Sequence, residues 1–279
     1  MPLFVFVSGF FSKSMGDAGS VKRNKIVNIF VLYIVIQSVK CIISGSFSII
    51  KPVYGNWYLL CLVVWYTSLP FLNNLKPLFV VISTVLFGLL IGIETSGMTV
   101  LQVSRMVCFY PFFVLGYYTK KEHISFFRDR YVIGIIVFLV SIFMLHILAT
   151  KGFSHSILHA NKCYSEMKYS MQQGVFYRLL WYFISTFMSC GVLCFVPSKR
   201  NCFTNIGKHT LPIYVLHTCL YLFLIKKTVL LNYFSNNLGI VELLIGDFCI
   251  SLIVLVVFGN ALFSKPFDKV LMYDFKALK

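Results

Sequence analysis

Residues 104–121 read SRMVCFYPFFVLGYYTKK, and this stretch decides the fold. It predicts an apolar helix with Arg105 about one turn from its start, Pro111 in its middle and a lysine pair, Lys120 and Lys121, where the apolar run stops. An ionised side chain in hydrocarbon is costly unless it faces a polar cavity or a partner, so Arg105 is a functional-site hypothesis. The alternative is that Arg105 snorkels to the lipid headgroups from the helix end.

The composition of the whole chain is that of a membrane protein. Of its 279 residues 58% are hydrophobic and only 12% are charged, and the mean hydropathy is +0.83. A soluble domain needs a more charged surface than this. The net charge of +16 does not indicate nucleic-acid binding, because the basic residues lie in short segments between apolar runs rather than on one soluble face. The nine cysteines show no metal-binding or disulfide spacing.

Apolar runs near the length of a membrane span predict an all-α fold, a polytopic transmembrane helical bundle with eight full spans. We expect one domain over residues 1–279. The predicted spans are Ile26–Ile43, Trp57–Leu72, Leu78–Ile93, Leu101–Tyr118, Val132–Ala149, Val175–Val196, Ile206–Ile225 and Ile240–Phe263. A further apolar run, Pro2–Phe11, is too short to span and is interpreted as a partial N-terminal helix.

The lysines and arginines predict how the chain is oriented. If the segment after Phe11 is cytoplasmic, strict alternation of the spans places most of these residues on the inside. This bias is the one that cytoplasmic loops carry, so we expect a multi-pass protein of the cell membrane with a cytoplasmic C-terminus. The longest external segment then runs from about Thr150 to Gly174. It contains His155 and His159 at zinc-ligand spacing but no third ligand, so we expect no metal.

The run Ile206–Ile225 places a histidine among polar side chains on one helix face. Thr210, Tyr214, His217 and Tyr221 follow helical spacing. A histidine near mid-membrane can accept and return a proton near neutral pH, which is the property of a general base. The alternative is a hydrogen-bonded core histidine that packs helices together.

Other charged residues point to anionic ligands. Arg178 and Arg105 are predicted near the outer ends of their helices, where two cations could hold an anionic or sugar-linked acceptor. The alternative for Arg178 is again snorkelling. On the cytoplasmic side, two basic clusters could bind the phosphates of a nucleotide donor or lipid headgroups. They contain Arg23, Lys25, Lys120 and Lys121.

Four segments in the same order resemble the integral-membrane acyltransferase family 3, and within it the fucose 4-O-acetylase-like branch. MPLFVFVSGFF at 1–11 is similar to the family's "MPLFFFISGYF" segment, and NWYLL at 56–60 to its "LWFLxAL" helix start. YPFFVLGYY at 110–118 resembles "FPFFLLGYY", and IGKHTLPIYVLH at 206–217 resembles "LGKNTLPIYLLH". Together the four cover most of the chain.

The resemblance implies a membrane enzyme that moves an acyl group, usually acetyl from cytoplasmic acetyl-CoA, to a sugar hydroxyl of a surface or lipid-linked glycan. Such an activity belongs to exopolysaccharide or capsule biosynthesis, with membrane lipids and the glycan as partners. Carried over by residue, Arg105 matches a family arginine, Trp57 the tryptophan, and Tyr214 and His217 the terminal motif. His217 and Arg105 are the implied catalytic residues. Trp57, Tyr214 and Arg178 are predicted to bind the acceptor.

The sequence also departs from the family pattern. Lys25 matches the first basic residue of an R-x-x-R-like element, but Asn28 stands at its second basic position and Leu32 where a proline is usual. The family's first helix and its histidine would precede Met1. We therefore expect that an N-terminal helix is missing, so one alternative is an inactive acyltransferase fragment. The competing class is a non-enzymatic transporter or flippase of lipid-linked sugars, which also carries polar stripes inside a helical bundle.

Overall fold

The computed structural model describes residues 1–13, 19–94, 101–128, 130–197, 207–227 and 239–272. Over these ranges the regular structure is helical, as the apolar runs predict. The first seven helices are α1 (Pro2–Phe11), α2 (Gly19–Ser44), α3 (Trp57–Leu72), α4 (Pro77–Leu90), α5 (Val103–Tyr118), α6 (Lys121–Arg128) and α7 (Tyr131–Thr150). The others are α8 (His155–His159), α9 (Met171–Leu193), α10 (Thr210–Lys227), α11 (Ile240–Phe258) and α12 (Ala261–Met272). A 3-10 turn, Gly207–His209, leads into α10.

Three helices are long and apolar enough to cross a membrane. Within the described ranges they are Arg23–Ser44, Tyr131–Thr150 and Met171–Leu193. The other predicted spans also form helices, but α3, α4 and α5 have only 16, 14 and 16 residues. At 1.5 Å per residue these helices are about 21–24 Å long, shorter than a hydrocarbon core of about 30 Å. The prediction of eight full spans is therefore not confirmed.

Local sequence explains where several helices begin and end. Gln102, with φ 55°, lies in the left-handed region before α5, so the helix starts after the predicted Leu101. The α9 helix begins before the predicted Val175 because Ser170 and Gln173 form a capping box at its N-terminus. The last predicted span, Ile240–Phe263, divides at Gly259 into α11 and α12.

The chain forms two compact units, which are described separately. The first unit comprises Met1–Gly19 and Trp65–Ser198, and the second comprises Ser20–Val64 and Lys199–Lys279. The expectation of one domain over 1–279 stays a prediction.

Helices of the first unit pack closely through glycines. A Cβ at Gly9 of α1 would meet the carbonyl of Phe113, and one at Gly116 of α5 would meet the carbonyl of Phe6. The α7 and α9 backbones approach in the same way at Gly134 and Gly191. Small residues let apolar helices come close enough for dispersion contacts, which replace the hydrophobic effect inside a membrane.

An aromatic core fills the space between α5 and α9. Phe109 and Phe112 both meet the edge of the Trp181 ring, with centroids 5.5 and 5.7 Å apart. Phe112 also contacts Tyr182, and all four side chains are buried. This core fixes the face of α9 that carries Arg178.

Candidate functional site

The second unit contains His217, the predicted general base, on α10. Its Nδ1 lies 2.9 Å from the carbonyl oxygen of Ile213, one turn earlier. A carbonyl oxygen only accepts hydrogen bonds, so Nδ1 carries a proton and Nε2 is the basic nitrogen of the neutral ring. The ring also meets Tyr214 edge to face, with centroids 5.7 Å apart. The helix backbone therefore orients this histidine and selects its tautomer.

Tyr214 joins α10 to the segment before α3. Its hydroxyl donates a hydrogen bond to the carbonyl of Gly55, and its ring packs edge-on against Tyr58, with centroids 5.3 Å apart. Tyr58 in turn packs against Trp57, with centroids 6.1 Å apart. The structure thus brings together three of the predicted site residues in one aromatic cluster.

Lys40 is a polar residue at this site to which sequence reasoning gave no role. It is 1% exposed, and its Nζ donates hydrogen bonds to the Tyr54 carbonyl at 2.7 Å and to the Thr218 hydroxyl at 2.8 Å. Thr218 follows His217 directly on α10. A signal for Lys40 was available, because Tyr33, Gln37 and Lys40 form a polar stripe at helical spacing inside an apolar span.

The segment between α2 and α3 is anchored by the same stripe. Gln37 Nε2 donates to the carbonyls of Ser48 and Lys51, at 2.6 and 3.0 Å. Its Oε1 accepts from the Val53 amide and from Asn56 Nδ2, at 3.1 and 2.9 Å. These bonds hold the backbone from which the Gly55 carbonyl and the Tyr58 ring reach Tyr214 on α10.

The first unit contains Arg178, which is 0% exposed. Its Nη1 donates to the Gly88 carbonyl at 3.2 Å, and its guanidinium carbon lies 4.8 Å from the centre of the Tyr164 ring. The interpretation of Arg178 as a snorkelling side chain is therefore wrong. The side chain points into the packed α4–α5–α9 interior, because Gly88 and Gly92 leave space there.

Two tyrosines and a cysteine complete the surroundings of Arg178. Tyr182 donates to the Cys108 carbonyl at 2.9 Å, and Tyr164 donates to the Leu89 carbonyl at 2.8 Å. The Cys108 thiol donates to the same Gly88 carbonyl that Arg178 uses, at 3.6 Å. Burial raises the pKa of Tyr164 to about 12, although the nearby guanidinium acts against this shift. Tyr164 is thus a neutral hydrogen-bond donor at physiological pH.

Arg105 is half-buried and holds the segment between α7 and α9. Its Nε donates to the carbonyl of His159 at 3.0 Å. Partial desolvation lowers the pKa of the exposed His159, and the charges of Arg105 and His155 add to that effect. No group of three histidine, cysteine or acidic side chains that could hold a metal ion occurs in the described ranges.

The predicted site residues are divided between the two units. Arg105 and Arg178 belong to the first, whereas Trp57, Tyr214 and His217 belong to the second. The basic residues divide likewise, with Lys120 and Lys121 in the first unit and Arg23 and Lys25 in the second.

The lysine pair lies at the start of α6, with Lys120 before the helix and Lys121 as its first residue, beside an apolar cavity of the first unit. Lys120, Lys121 and Arg23 are exposed and Lys25 is half-buried. Lys13 donates to the Thr119 carbonyl next to the pair. Burial lowers the pKa of Lys13, with Glu122 raising it and Lys120 lowering it further.

The apolar cavity beside the lysine pair measures about 590 Å³. Its lining includes Phe6, Phe112, Leu193, Thr119, Glu122 and His123.

Comparisons with known proteins give one match. A family model described as an acyltransferase domain matches residues 1–259. Searches of curated proteins and of solved structures found no match.

Proposed function

Because the chain belongs to the acyltransferase 3 family, we propose that it is a membrane-bound O-acyltransferase, in the first instance an O-acetyltransferase. It moves the acyl group of acetyl-CoA to a sugar hydroxyl of a cell-surface or lipid-linked polysaccharide. The family and the apolar helices support a membrane acyltransferase in general. The donor, the acceptor, the fucose 4-O-acetylase-like branch and a role in capsule or exopolysaccharide biosynthesis are proposals.

The observation that carries the proposal is the geometry of His217 within the family match. Acyl transfer to a hydroxyl needs a base that removes the hydroxyl proton while the oxygen attacks. The hydrogen bond from Nδ1 to the Ile213 carbonyl leaves the lone pair on Nε2. His217 therefore has the tautomer that this step requires.

The reaction runs in two steps. His217 Nε2 takes the proton of the acceptor hydroxyl as its oxygen attacks the thioester carbonyl of acetyl-CoA. The tetrahedral intermediate then expels the CoA sulfur, which receives the proton from His217, and the acetyl ester of the sugar remains. Arg105, the second predicted catalytic residue, positions the acceptor or stabilises the oxyanion. Trp57 and Tyr214 supply the aromatic faces against which the sugar packs.

The donor binds at the cytoplasmic ends of the helices. Lys120 and Lys121 contact the phosphates of CoA, and the adjoining cavity receives the less polar pantetheine arm. Arg23 and Lys25 contribute further positive charge. In this proposal the protein is multi-pass in the cell membrane with its C-terminus inside, and the shorter helices complete the eight predicted spans.

The test measures transfer of labelled acetyl groups by membranes that contain the full chain. Membranes with and without the chain receive acetyl-labelled acetyl-CoA and the polysaccharide of the host cell. We expect chain-dependent label in the glycan fraction that mild alkali releases, because alkali cleaves O-acetyl esters but not N-acetyl amides. Equal labelling with and without the chain, or label that resists alkali, would contradict the proposal.

A further inference from the structure

Arg178 carries a buried positive charge that the protein leaves partly uncompensated. Its Nη1 bonds to Gly88, but Nε and Nη2 are buried and find no hydrogen-bond partner among the described residues. A guanidinium is always ionised, and buried N–H groups that lack acceptors cost free energy. Such a group in a membrane protein is a functional-site hypothesis, and a ligand that supplies the missing acceptors is one explanation for it.

The environment of Arg178 is suited to a small anion. Ser104, 1% exposed, lies one turn before Cys108 on α5, and within the described ranges its Oγ also has no hydrogen-bond partner. Cys108 and Arg178 meet at the Gly88 carbonyl. Two guanidinium nitrogens and a hydroxyl are thus buried donors for which the described part of the chain supplies no acceptor. An oxyanion with two or more oxygens supplies the acceptors and the opposite charge.

Tyr164 closes this environment from the segment between α7 and α9. Its ring lies against the guanidinium, its hydroxyl donates to the Leu89 carbonyl at 2.8 Å, and its amide donates to the Gly92 carbonyl at 2.8 Å. A Cβ at either Gly92 or Gly174 would collide with the Tyr164 ring. The space that Gly92 and Gly174 leave therefore holds the Tyr164 ring, and this ring shields Arg178 from solvent.

We propose that Arg178 and Ser104 form a buried oxyanion-binding site that Tyr164 closes. Its ligand is a carboxylate or a phosphate group, held by two N–H groups of the guanidinium fork. If the proposed function is correct, this group belongs to the acceptor, which is then an acidic sugar or a phosphate-bearing lipid carrier. That identification rests on the proposed function, whereas the existence of the site does not.

The test measures thermal unfolding of the purified full chain in detergent. Sodium glucuronate and sodium phosphate are titrated separately, with sodium chloride at matched ionic strength and neutral glucose as references. We expect at least one oxyanion to raise the Tm by about 5 °C at a hundredfold excess over its Kd. A response to glucuronate alone assigns a carboxylated sugar, and a response to phosphate alone assigns a phosphate-bearing carrier. No shift beyond the chloride reference with either anion would overturn the proposal.

Three variants locate the response. Arg178→Met removes the charge with similar volume and is expected to abolish the anion shift. Arg178→Lys keeps the charge without the fork and is expected to weaken the apparent affinity about tenfold or more. Lys162→Met removes an exposed charge two residues from Tyr164 and should leave the shift unchanged. A shift that persists in Arg178→Met contradicts the assignment. If Arg178→Met does not fold, unchanged affinity in Arg178→Lys contradicts it instead.

The outcome is separable from that of the proposed function. Anion binding that depends on Arg178, without any transfer of acetyl label, supports the site and removes the acyltransferase proposal. Acetyl transfer without anion binding that depends on Arg178 supports the acyltransferase proposal and removes the oxyanion site.

Discussion

Lys40 Nζ donates a hydrogen bond to Thr218 Oγ1 at 2.8 Å, and both side chains are buried. The bond connects α2 to the residue that follows His217 on α10. Its second acceptor, the Tyr54 carbonyl, lies in the segment that leads to Trp57. One buried ammonium group therefore joins three parts of the second unit around the predicted base.

This bond predicts that the effects of substitutions at positions 40 and 218 are coupled. Thr218→Val should lower the free energy of unfolding by about 1–3 kcal/mol, because the buried ammonium loses an acceptor. In a protein that already carries Lys40→Met, the loss of unfolding free energy caused by Thr218→Val should be smaller by about 0.5–3 kcal/mol. Reversible unfolding in mixed micelles measures both values. Ser38→Ala is the control on α2, since the Ser38 hydroxyl bonds within its own helix, to the Ile34 carbonyl. Additive effects for the Lys40–Thr218 pair would contradict the prediction.

The close approach of α1 and α5 gives a second prediction. Gly116→Ala should destabilise the protein by about 1–3 kcal/mol, because the added methyl group collides with the Phe6 carbonyl and the helices must separate. Gly246→Ala is the matched control on α11, where no described residue lies within 4 Å of the added Cβ. It should be neutral or stabilising, since alanine favours a helix. Equal destabilisation by both changes would mean that helix packing is not responsible.

The sequence was sufficient for the helical class and for the grouping on α10. Tyr214 and His217 follow helical spacing, and spacing alone places both side chains on one face. The sequence was not sufficient to predict that Arg178 is buried, because the position of a residue along a helix does not reveal which distant residue covers its side chain. Tyr164, whose ring shields Arg178, comes from the segment before α9. Lys40 was missed for a related reason, since Thr218 lies 178 residues away in the chain.

The lengths of the spans were overestimated for a different reason. Hydropathy counts apolar residues whether or not their backbone is helical. Leu101 and Gln102 both have positive φ, so the helical part of that run starts at Val103. Likewise, α4 ends at Leu90 although Ile91 and Ile93 continue the apolar run.

Arg105 should control the order of the segment between α7 and α9. Arg105→Lys lacks the Nε donor that bonds to His159, so amides of residues 153–169 should exchange hydrogen faster while those of α7 do not. Hydrogen exchange with mass spectrometry measures this change. Lys162→Gln, which removes a charge from the same segment, should leave the exchange rates unaltered.

The proposed catalytic role of Arg105 gives a separate prediction, that Arg105→Ala lowers acetyl transfer by about 10²–10³-fold. Acetyl transfer at the full rate would remove Arg105 from the site.

His159 predicts a loss of stability in acid. The pKa of His159 is lowered in the folded protein, so the unfolded chain binds the proton first as the pH falls below about 6.5. Folding stability therefore decreases with falling pH in that window. The decrease should be small because the side chain is exposed. The fall in Tm between pH 7.5 and 5.5 should be smaller in His159→Gln than in the unaltered protein. His146→Gln, at an exposed position of α7, should keep the original response, and an identical response in all three proteins would exclude His159 as the cause.

His217 permits a direct choice between a general base and a packing residue. Glutamine can donate its side-chain N–H to the Ile213 carbonyl, as His217 Nδ1 does, but it cannot take up a proton near neutral pH. If His217 is the base, His217→Gln and His217→Ala both lower acetyl transfer by about 10²–10⁴-fold, and the Tm of His217→Gln stays close to the original value. If His217 only packs helices, His217→Gln restores the activity that His217→Ala loses. His146→Ala is the control for removal of a histidine from an exposed position and should transfer acetyl at the full rate. Recovery of activity in His217→Gln would therefore assign the proton transfer to another residue.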